Sequence, residues 1–330
     1  MTGPPAPSHE TWEALHEAAS LVPLPRVGGL RLVGDDRIDF LHGQLSHDVR
    51  GLPVGGSRRM LILDVKGHAH AELAVQRRGG DVHLAVEDGA ADEVAARLRR
   101  HVVFDQVEVQ DLGGTLATLT VQGPEARATL ERLGWPWPEP GEAASVAFDD
   151  AELLLVPAPR SEPGGVDVHL LARQRAAIEA ALLEAGARPG DEAALEASRV
   201  AAGLPRAGRE AGPGVLPQEA GLDGRVSTRK GCYLGQEIMA RLEARGTPKR
   251  ALARLTLTGP PAAPEDRAVT SAGRTVGRLG TVARHPDLGV IALAVLRRDV
   301  PGDAALTAGG VPVATVSWPH AAGEAARPGG

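Results

Sequence analysis

The single cysteine of the chain, Cys232, is the side chain best suited to nucleophilic or redox chemistry. Three cations, Arg225, Arg229 and Lys230, precede it, and the apolar spacing after it predicts a helix from Leu234 to Arg241. Nearby cations and the start of a helix both stabilise a thiolate. The alternative interpretation is structural, because a free cysteine is commonly a small buried hydrophobe. Both interpretations are open at the level of the sequence.

Rare residue types gather around this cysteine. Lys230, Tyr233 and Met239 stand with it in the segment KGCYLGQEIM, although the chain has only one tyrosine and three methionines. Gly231 and Gly235 lie in the same segment, and a glycine lets the backbone approach a ligand closely. The segment is therefore the leading candidate for a binding or reactive site.

A second candidate site lies on a predicted strand between Lys66 and Val75. His68, His70 and Glu72 alternate along this strand and therefore point to one face. Two histidines in this spacing, with a carboxylate beside them, form a conceivable set of zinc ligands. The same pattern also describes the solvated face of an ordinary strand. We favour this second interpretation, so the sequence predicts no metal site.

Composition excludes several classes of function. Aromatic residues are 2% of the chain and the net charge is −6, which disfavours base stacking and a broad basic surface for nucleic acid. One cysteine permits no intrachain disulfide and no zinc or iron–sulfur site built from cysteines of this chain alone. The motifs GxxxxGK, GxGxxG, HExxH and GxSxG are absent, so nucleotide hydrolysis, Rossmann-type redox chemistry, zinc proteolysis and serine hydrolysis lack support.

The chain is expected to be cytoplasmic. Its first residues contain neither the basic segment nor the apolar segment of a signal peptide. The longest apolar run, Val290 to Leu296, falls well short of the roughly 20 residues that span a bilayer. We therefore predict a reducing compartment and no association with a membrane.

Periodicity and turn residues divide the chain into three predicted units. Residues 20–112 alternate strands, helices and a hairpin around Gly67, which is typical of an α+β layer. Residues 113–248 repeat this mixture and add a helix from Glu192 to Ala202, ended by Gly203, before a long loop that leads to the cysteine motif. Residues 249–320 alternate apolar and polar positions without a helical pattern, which predicts a small antiparallel barrel or sandwich.

At the cysteine motif the chain closely resembles the YgfZ family, folate-binding relatives of the glycine-cleavage T-protein. Residues 230–237, KGCYLGQE, are similar to the signature of that family. Other segments share the resemblance: FLHGQLSHDV at 40–49, LDVKGH at 63–68, VQGP at 121–124, RVAAGLP at 199–205 and LPQEAGLD at 216–223. The likeness extends over about residues 28–297.

This resemblance implies an α+β fold of three domains arranged as in the T-protein around a central cavity, with a C-terminal antiparallel β-barrel. It implies tetrahydrofolate or a derivative as cofactor. It also implies support for the assembly or repair of iron–sulfur proteins, including tRNA-modifying enzymes, through transient contact with these client proteins. Cys232 is then the essential residue, without the turnover of a classical enzyme. The resemblance places these residues at the cofactor: Arg199, Lys230, Gly231, Tyr233, Gly235, Gln236 and Glu237.

Two departures from related sequences bear on the implied function. T-proteins use an acidic pair after the hairpin turn, and Ala71 and Glu72 occupy that stretch here. Ala201 stands where relatives carry a glutamate for the pterin, and losing one charge-assisted contact costs about 1.5–3 kcal/mol. Tetrahydrofolate is therefore expected to bind with micromolar affinity or weaker, at about −8 kcal/mol or less favourable. The carboxylates that can substitute are Glu196, Glu219 and Glu237.

Two other functions stay open. The first is a folate-dependent aminomethyltransferase, which the replaced acidic residues disfavour. The second is a thiol-based redox protein in which Cys232 reacts and folate is incidental. Aminomethyl transfer to or from tetrahydrofolate distinguishes the first alternative, and the reactivity of Cys232 with and without folate distinguishes the second.

Overall fold

The computed structural model describes residues 3–262 and 265–319, so His320, the last residue of the predicted third unit, lies outside the described residues. The α-helices are α1 (His9–Glu17), α2 (Arg37–Gln44), α3 (Ala91–His101), α4 (Ala126–Arg132), α5 (Arg175–Glu184), α6 (Glu192–Ala202) and α7 (Gln236–Arg245). The strands before α7 are β1 (Ser20–Pro23), β2 (Gly28–Val33), β3 (Ser57–Leu63), β4 (Ala69–Arg77), β5 (Val82–Val86), β6 (Glu108–Asp111), β7 (Leu116–Gln122), β8 (Ala144–Phe148), β9 (Ala151–Pro157), β10 (Gly165–Leu171) and β11 (Arg188–Pro189). The strands after α7 are β12 (Arg250–Leu257), β13 (Ala268–Ser271), β14 (Arg274–His285), β15 (Gly289–Arg297), β16 (Leu306–Ala308) and β17 (Val311–Ser317). Within the described ranges, no helix is both long enough and apolar enough to cross a membrane.

The first sheet is antiparallel and has the strand order β3-β4-β5-β2-β6. Because side chains alternate along a strand, Leu73 and Val75 of β4 enter a core with α2 and α3, while Glu72 and Gln76 face the opposite side. The predicted hairpin between β3 and β4 is confirmed. Gly67 adopts φ +77 in its turn, a conformation that favours glycine.

The second sheet has the order β11-β1-β7-β10-β9-β8. Its strand β1 pairs antiparallel with β7 and parallel with β11, so the start of the first predicted unit contributes to the sheet of the second. Leu119 and Val121 of β7 pack into a core with α4 and α5. Thr118 and Thr120 alternate with them and face the opposite side of the sheet.

The first two sheets meet through their polar faces. Arg160, which follows β9, donates to Glu87 at 2.8 Å and to Asp167 of β10 at 2.6 Å. Arg59 of β3 lies 3.1 Å from Glu87 and 3.9 Å from Asp167. Buried charges are tolerated when they are paired and hydrogen-bonded. A layer of ion pairs, rather than an apolar core, therefore joins the two units.

The third sheet is a closed antiparallel barrel with the order β12-β15-β14-β13-β16-β17, which confirms the predicted C-terminal β-barrel. Ala292 and Leu296 of β15 fill the interior of the barrel. Ile291 and Leu293 of the same strand pack outside it, in a cluster with Val200 of α6. No helix occurs in the described part of residues 250–319, as the sequence predicts.

Candidate functional site

The cysteine motif lies in an exposed loop that leads into α7. Cys232 is exposed, which excludes its interpretation as a buried hydrophobe. The helix predicted after the motif is present, but it begins at Gln236 with Gly235 as its N-cap. Cys232 thus lies outside the first turn, where the influence of the helix dipole is confined. Nearby cations are therefore the main groups that can stabilise a thiolate here.

The two glycines of the motif have different roles. Both adopt backbone conformations that favour glycine, with φ +98 at Gly231 and φ +86 at Gly235. A Cβ at Gly235 would lie 2.8 Å from the carbonyl oxygen of Asp64 and 3.1 Å from the Cα of Gly67. The corresponding position at Gly231 has no atom within 4 Å. Gly235 thus packs the loop against the β3–β4 turn, and room for a ligand remains only at Gly231.

Two of the segments that resemble family motifs, residues 40–49 and 230–237, are hydrogen-bonded to each other at this loop. The Nε2 atom of His42, in α2, donates to the carbonyl oxygen of Lys230 at 3.0 Å. The Lys230 ammonium donates in return to the carbonyl oxygen of His42. Asp48 Oδ1 lies 3.2 Å from the other nitrogen of the ring, His42 Nδ1. Residues of the first unit therefore fix both the backbone and the ammonium of Lys230, two residues from Cys232.

Tyr233 anchors the motif to the interior. It is 8% exposed and belongs to a cluster that includes Leu61 and Leu63 of β3. Its hydroxyl donates to the carbonyl oxygen of Ser227 at 2.9 Å, and the Lys230 ammonium lies 4.8 Å from its ring centroid, a cation–π distance. Burial raises the pKa of Tyr233 to about 12, so its hydroxyl remains a neutral donor.

The cationic groups of the loop have lowered pKa values. Burial lowers the pKa of Lys230 to about 8, and the Asp48 carboxylate and the Cys232 thiolate oppose this fall. Burial and the Arg58 guanidinium lower the pKa of His47. An ammonium whose pKa is close to neutrality can stabilise a thiolate and can also exchange a proton with its surroundings.

The remaining predicted cofactor residues are not gathered in one place. Gln236 is half-buried at the start of α7. Glu237 has a side chain that is 87% exposed and lies 3.6 Å from Arg241, one turn along the helix. Arg199 belongs to α6, and its side-chain hydrogen bonds go to Glu196, Leu204, Glu210 and Thr281. The structure thus brings Lys230, Gly231 and Tyr233 together around Cys232 and leaves Arg199 in a second region.

The second region is a cavity of about 260 Å³ where the three units meet. Its lining includes Pro4, Arg26, Glu87, Arg160, Glu196 and Thr281. A neighbouring cavity of about 330 Å³ shares Pro4, Arg209, Thr281 and Val282 with it. The central cavity implied by the resemblance is therefore present, with side chains from all three units in its wall.

Helix α6 presents Glu196 to this central cavity. The Asp191 side chain caps the start of the helix, and Gly203 ends it with φ +72, as predicted. The Glu196 carboxylate accepts from Arg199 at 2.9 Å and pairs with Arg206 at 2.8 Å. Burial opposes ionisation, but these two guanidinium groups outweigh it and lower the pKa of Glu196 to about 2. The cavity therefore contains a carboxylate that is ionised at neutral pH.

Arg199 supports Glu196 from inside the protein. It is 1% exposed and is not part of the cavity lining. Besides Glu196 it donates to Glu210 at 3.2 Å, to the carbonyl oxygen of Leu204 at 2.6 Å and to the Thr281 hydroxyl at 2.6 Å. These contacts tie α6 to the following loop and to the barrel, so Arg199 positions the carboxylate.

Ala201 lies at the other end of α6. It is half-buried against a cluster shared with the barrel and does not line the central cavity. Of the carboxylates that can substitute for the missing glutamate, Glu219 pairs with Arg250 at 2.6 Å outside the cavity, and Glu237 faces solvent. Glu196 is the one of the three that lines the cavity.

The polar face of β4 is not simply solvated, although the sequence favours that interpretation. Glu72 is 3% exposed, so that interpretation is wrong for this residue. His68 pairs with Asp64 of the same hairpin turn, and His70 pairs with Glu93 of α3, at 3.2 Å each. In the part of the chain that the structure describes, no group of three or more His, Cys, Asp or Glu side chains could hold a metal ion.

A series of ion pairs connects the motif loop with the cavity wall. Arg225, which precedes the motif, donates to Glu72 at 3.1 Å. Arg59 bridges Glu72 and Glu87, at 3.5 and 3.1 Å. Glu87 then accepts from Arg160 in the cavity wall. These residues come from separate segments, so no local spacing in the sequence predicts the series.

Fold and site together define a class of protein: two α+β units and a closed β-barrel around a central cavity, with an exposed cysteine in a KGC motif. Residues 6–230 match the GCVT N-terminal domain, and residues 249–323 match the CAF17 C-terminal beta-barrel domain. The chain belongs to this family of GCVT-domain proteins with a CAF17-type barrel, which includes YgfZ.

Individual relatives and a solved structure support this assignment. The tRNA-modifying protein YgfZ of Sodalis glossinidius is 30% identical over 316 residues, 92% of each chain. An aminomethyltransferase of Geobacillus kaustophilus is 30% identical over 306 residues, 88% of this chain and 82% of that protein. The crystal structure of aminomethyltransferase T of the Bartonella henselae glycine cleavage system matches 93% of this chain and 87% of its own, with a TM-score of 0.79 at 20% identity. The predicted family and the T-protein-like fold are confirmed.

Proposed function

We propose that this protein binds tetrahydrofolate or a derivative in the central cavity and uses Cys232 to support the assembly or repair of iron–sulfur proteins, including tRNA-modifying enzymes. The observation that carries the proposal is the exposed thiol of Cys232 beside the fixed Lys230, in a chain that also encloses a cavity with an ionised carboxylate. The homologue from Sodalis is named as tRNA-modifying, which is consistent with such client proteins.

Glu196 supplies the chemistry that a pterin requires. The amino group and the ring N–H of a pterin donate side by side, and one carboxylate can accept both. Arg199 and Arg206 hold the Glu196 carboxylate while 28% of its side-chain surface stays accessible. Arg26 and Arg209 line the same cavity and suit the anionic glutamyl tail of a folate. The neighbouring cavity extends the space for that tail.

Calorimetry with tetrahydrofolate on the purified full chain tests this placement. We expect Glu196→Gln to weaken binding about tenfold or more, because a charge-assisted contact of about 1.5–3 kcal/mol is lost. Glu131→Gln, exposed on α4, is the matched control and should bind as the wild type does. Unchanged affinity in a normally folded Glu196→Gln protein would place the pterin elsewhere.

The proposed contact of Cys232 with client proteins is transient, because one cysteine supplies only one of the ligands that a cluster needs. Cys232→Ser keeps the size of the side chain, but its hydroxyl stays protonated near neutral pH. We expect the variant to unfold at the same temperature as the wild type and to fail in complementing a strain that lacks this function. Full complementation by Cys232→Ser would rule out a role for the thiol.

A folate-dependent aminomethyltransferase is the second candidate, favoured by the 30% identity to the Geobacillus enzyme. Glu72 lies where T-proteins carry their acidic pair, and here Arg59, Arg225 and the backbone N–H of Ala207 all contact its carboxylate. A carboxylate held in this way is a structural partner rather than a base open to substrate. We expect no aminomethyl transfer to or from tetrahydrofolate, and measurable turnover would favour this second candidate.

A thiol-based redox role, with folate incidental, makes a different prediction. The ion pairs through Glu72 connect the motif loop with the cavity wall, so folate binding in the proposed function changes the rate at which Cys232 is alkylated. The rate is measured with and without saturating tetrahydrofolate. No difference between the two rates would favour the redox role.

A further inference from the structure

Two buried histidines face each other across the polar layer between the first and second sheets. His83 of β5 is 6% exposed, and His169 of β10 is 4% exposed. Their ring centroids lie 5.2 Å apart, and the ring planes are inclined by 53°. Neither residue belongs to the motif loop or to the lining of the central cavity, so the proposed function does not account for them.

Each ring has one nitrogen held by the protein and one without a protein partner. His83 Nδ1 donates to Gln76 Oε1 at 2.7 Å, which leaves a lone pair on Nε2. His169 Nδ1 lies 2.9 Å from Thr118 Oγ1. Both Nε2 atoms are buried without a hydrogen-bond partner in the protein. Histidines that bind metals characteristically have their second nitrogen held by an outer partner of this kind.

Both rings line a cavity of about 300 Å³ between the sheets. Gly29 and Leu116 lie beside His83, since a Cβ at Gly29 would lie 2.6 Å from Leu116 Cδ1 and 3.4 Å from His83 Nε2. Asp81 has a buried carboxylate oxygen, Oδ1, that accepts no hydrogen bond, although Arg78 Nε lies 3.5 Å away. This carboxylate adds negative charge to the cavity wall and does not complete a set of three ligands within the described residues. Arg78 and Glu152 also line the cavity and are 42% and 44% exposed, so it communicates with solvent.

The charge state of the two rings suits a cation rather than an anion. Burial lowers the pKa of His169 to about 4 and the pKa of His83 well below its usual value, so both are neutral at pH 7. A neutral imidazole offers a nitrogen lone pair, which is the form that binds metal ions. The cationic side chains of the cavity, Arg31 and Arg78, are paired with carboxylates, so they repel a bound cation only weakly.

We propose that His83 and His169 bind one divalent transition-metal ion that prefers imidazole, such as Zn²⁺ or Cu²⁺, through their Nε2 atoms. At metal–nitrogen distances of about 2.0 Å, a tetrahedral ion holds two ring centroids roughly 5 Å apart. The separation of 5.2 Å fits this geometry. Because no third ligating side chain completes the site within the described residues, water occupies the other positions. One ligand comes from each sheet, so the ion clamps the first two units together.

Titration of the metal-free full chain with ZnCl₂ tests the proposal. We expect one equivalent to bind and the unfolding temperature to rise, because a ligand of the native state stabilises it. His169→Gln should weaken the apparent affinity at least tenfold. His101→Gln, at the exposed end of α3, is the matched control and should bind as the wild type does.

A second measurement keeps the proposal testable if His169→Gln does not fold. Electron paramagnetic resonance of the wild-type chain with one equivalent of CuCl₂ should show coupling to two imidazole nitrogens. Coupling to fewer than two nitrogens, the same loss of affinity in His101→Gln, or the absence of saturable binding would overturn the proposal.

Discussion

We expect Lys230 to act on Cys232 as a positive charge that is present or absent according to the pH. Since burial lowers the pKa of this lysine to about 8, its ammonium stabilises a thiolate at pH 7 and is lost above pH 8. We expect Lys230→Ala to slow the alkylation of Cys232 by iodoacetamide severalfold at pH 7. The difference from the wild type should narrow as the pH rises past 8.

The control for this prediction is Lys249→Ala, which removes an exposed ammonium from a lysine outside the motif. Its alkylation rate should equal that of the wild type across the pH range. If Cys232 in Lys230→Ala were also alkylated at the wild-type rate at every pH, the Lys230 ammonium would not stabilise the thiolate. Lys230 would then be a structural link to His42 alone.

The sequence identifies most of the residues at the motif but not what each one does. Cys232 and Gly231 are recognisable from their local segment. The bond from His42 to Lys230 joins residues far apart in the chain, so spacing cannot predict it. The sequence predicts that Gly235 lets the backbone approach a ligand, but in the structure Gly235 packs against the β3–β4 turn. Only the packing of the two elements shows this.

At the scale of elements, the first two sheets depend on Arg160. This guanidinium is 4% exposed and holds the carboxylates of Glu87 and Asp167 across the interface. We expect Arg160→Ala to lower the free energy of unfolding by about 3–5 kcal/mol, because it leaves buried carboxylates without their partner. Unfolding in urea measures the change.

Arg127→Ala provides the comparison, since Arg127 and its partner Glu139 are 52% and 60% exposed. An exposed pair of this kind contributes less than about 1 kcal/mol. Equal effects of the two substitutions would mean that the buried layer is no more important than a surface ion pair.

Alternation along strands predicts which side chains share a face but not what that face meets. The sequence favours a solvated position for Glu72 on the polar face of β4. In the structure Glu72 is buried and pairs with Arg225, because this face lies against another polar sheet. The short strands β6 and β8 have only four and five residues, so each shows little periodicity of its own. Such strands exist through the neighbours with which they pair.

The stability of the whole molecule should fall in mild acid before its carboxylates titrate. Burial lowers the pKa of His169 from 6.5 to about 4, and it acts on His83 in the same direction. Between these pH values the unfolded chain binds a proton that the native chain does not, so stability is lost as the pH falls through the window. For His169 the loss is about 3 kcal/mol.

Urea unfolding between pH 6.5 and 4, with EDTA present, measures this effect. Across this pH range the free energy of unfolding of His169→Gln should fall by about 3 kcal/mol less than that of the wild type. The free energy of unfolding of His101→Gln should fall as much as that of the wild type. Burial raises the pKa of Glu196, but the neighbouring guanidinium groups outweigh burial and lower this pKa to about 2. The stability that the ionised Glu196 contributes is therefore lost only below about pH 4.5. An identical pH profile for His169→Gln would show that the buried ring does not control the decline.

The division into two α+β units and a barrel follows from periodicity, and the arrangement of these units came from the resemblance to a known family. The barrel is readable because its strands follow one another with turns between them. The central cavity is not readable from local pattern, because its wall combines residues from the chain start, α6 and β14. For the same reason the sequence offers three candidate carboxylates, and the fold shows which of them, Glu196, lines the cavity.

The strand Ser20–Pro23 has its partners in Leu119–Gln122 and Arg188–Pro189 rather than in the chain that follows it directly. On the ribosome this strand emerges before residues 119–122 and 188–189, so it waits for both partners to be synthesised. Meanwhile the strands between residues 28 and 111 can complete the first sheet among themselves. The nascent chain therefore carries an unpaired strand beside a finished sheet, an edge that invites aggregation or binding by a chaperone. The strand Ser20–Pro23 can therefore complete its pairing only after residue 189 has left the exit tunnel.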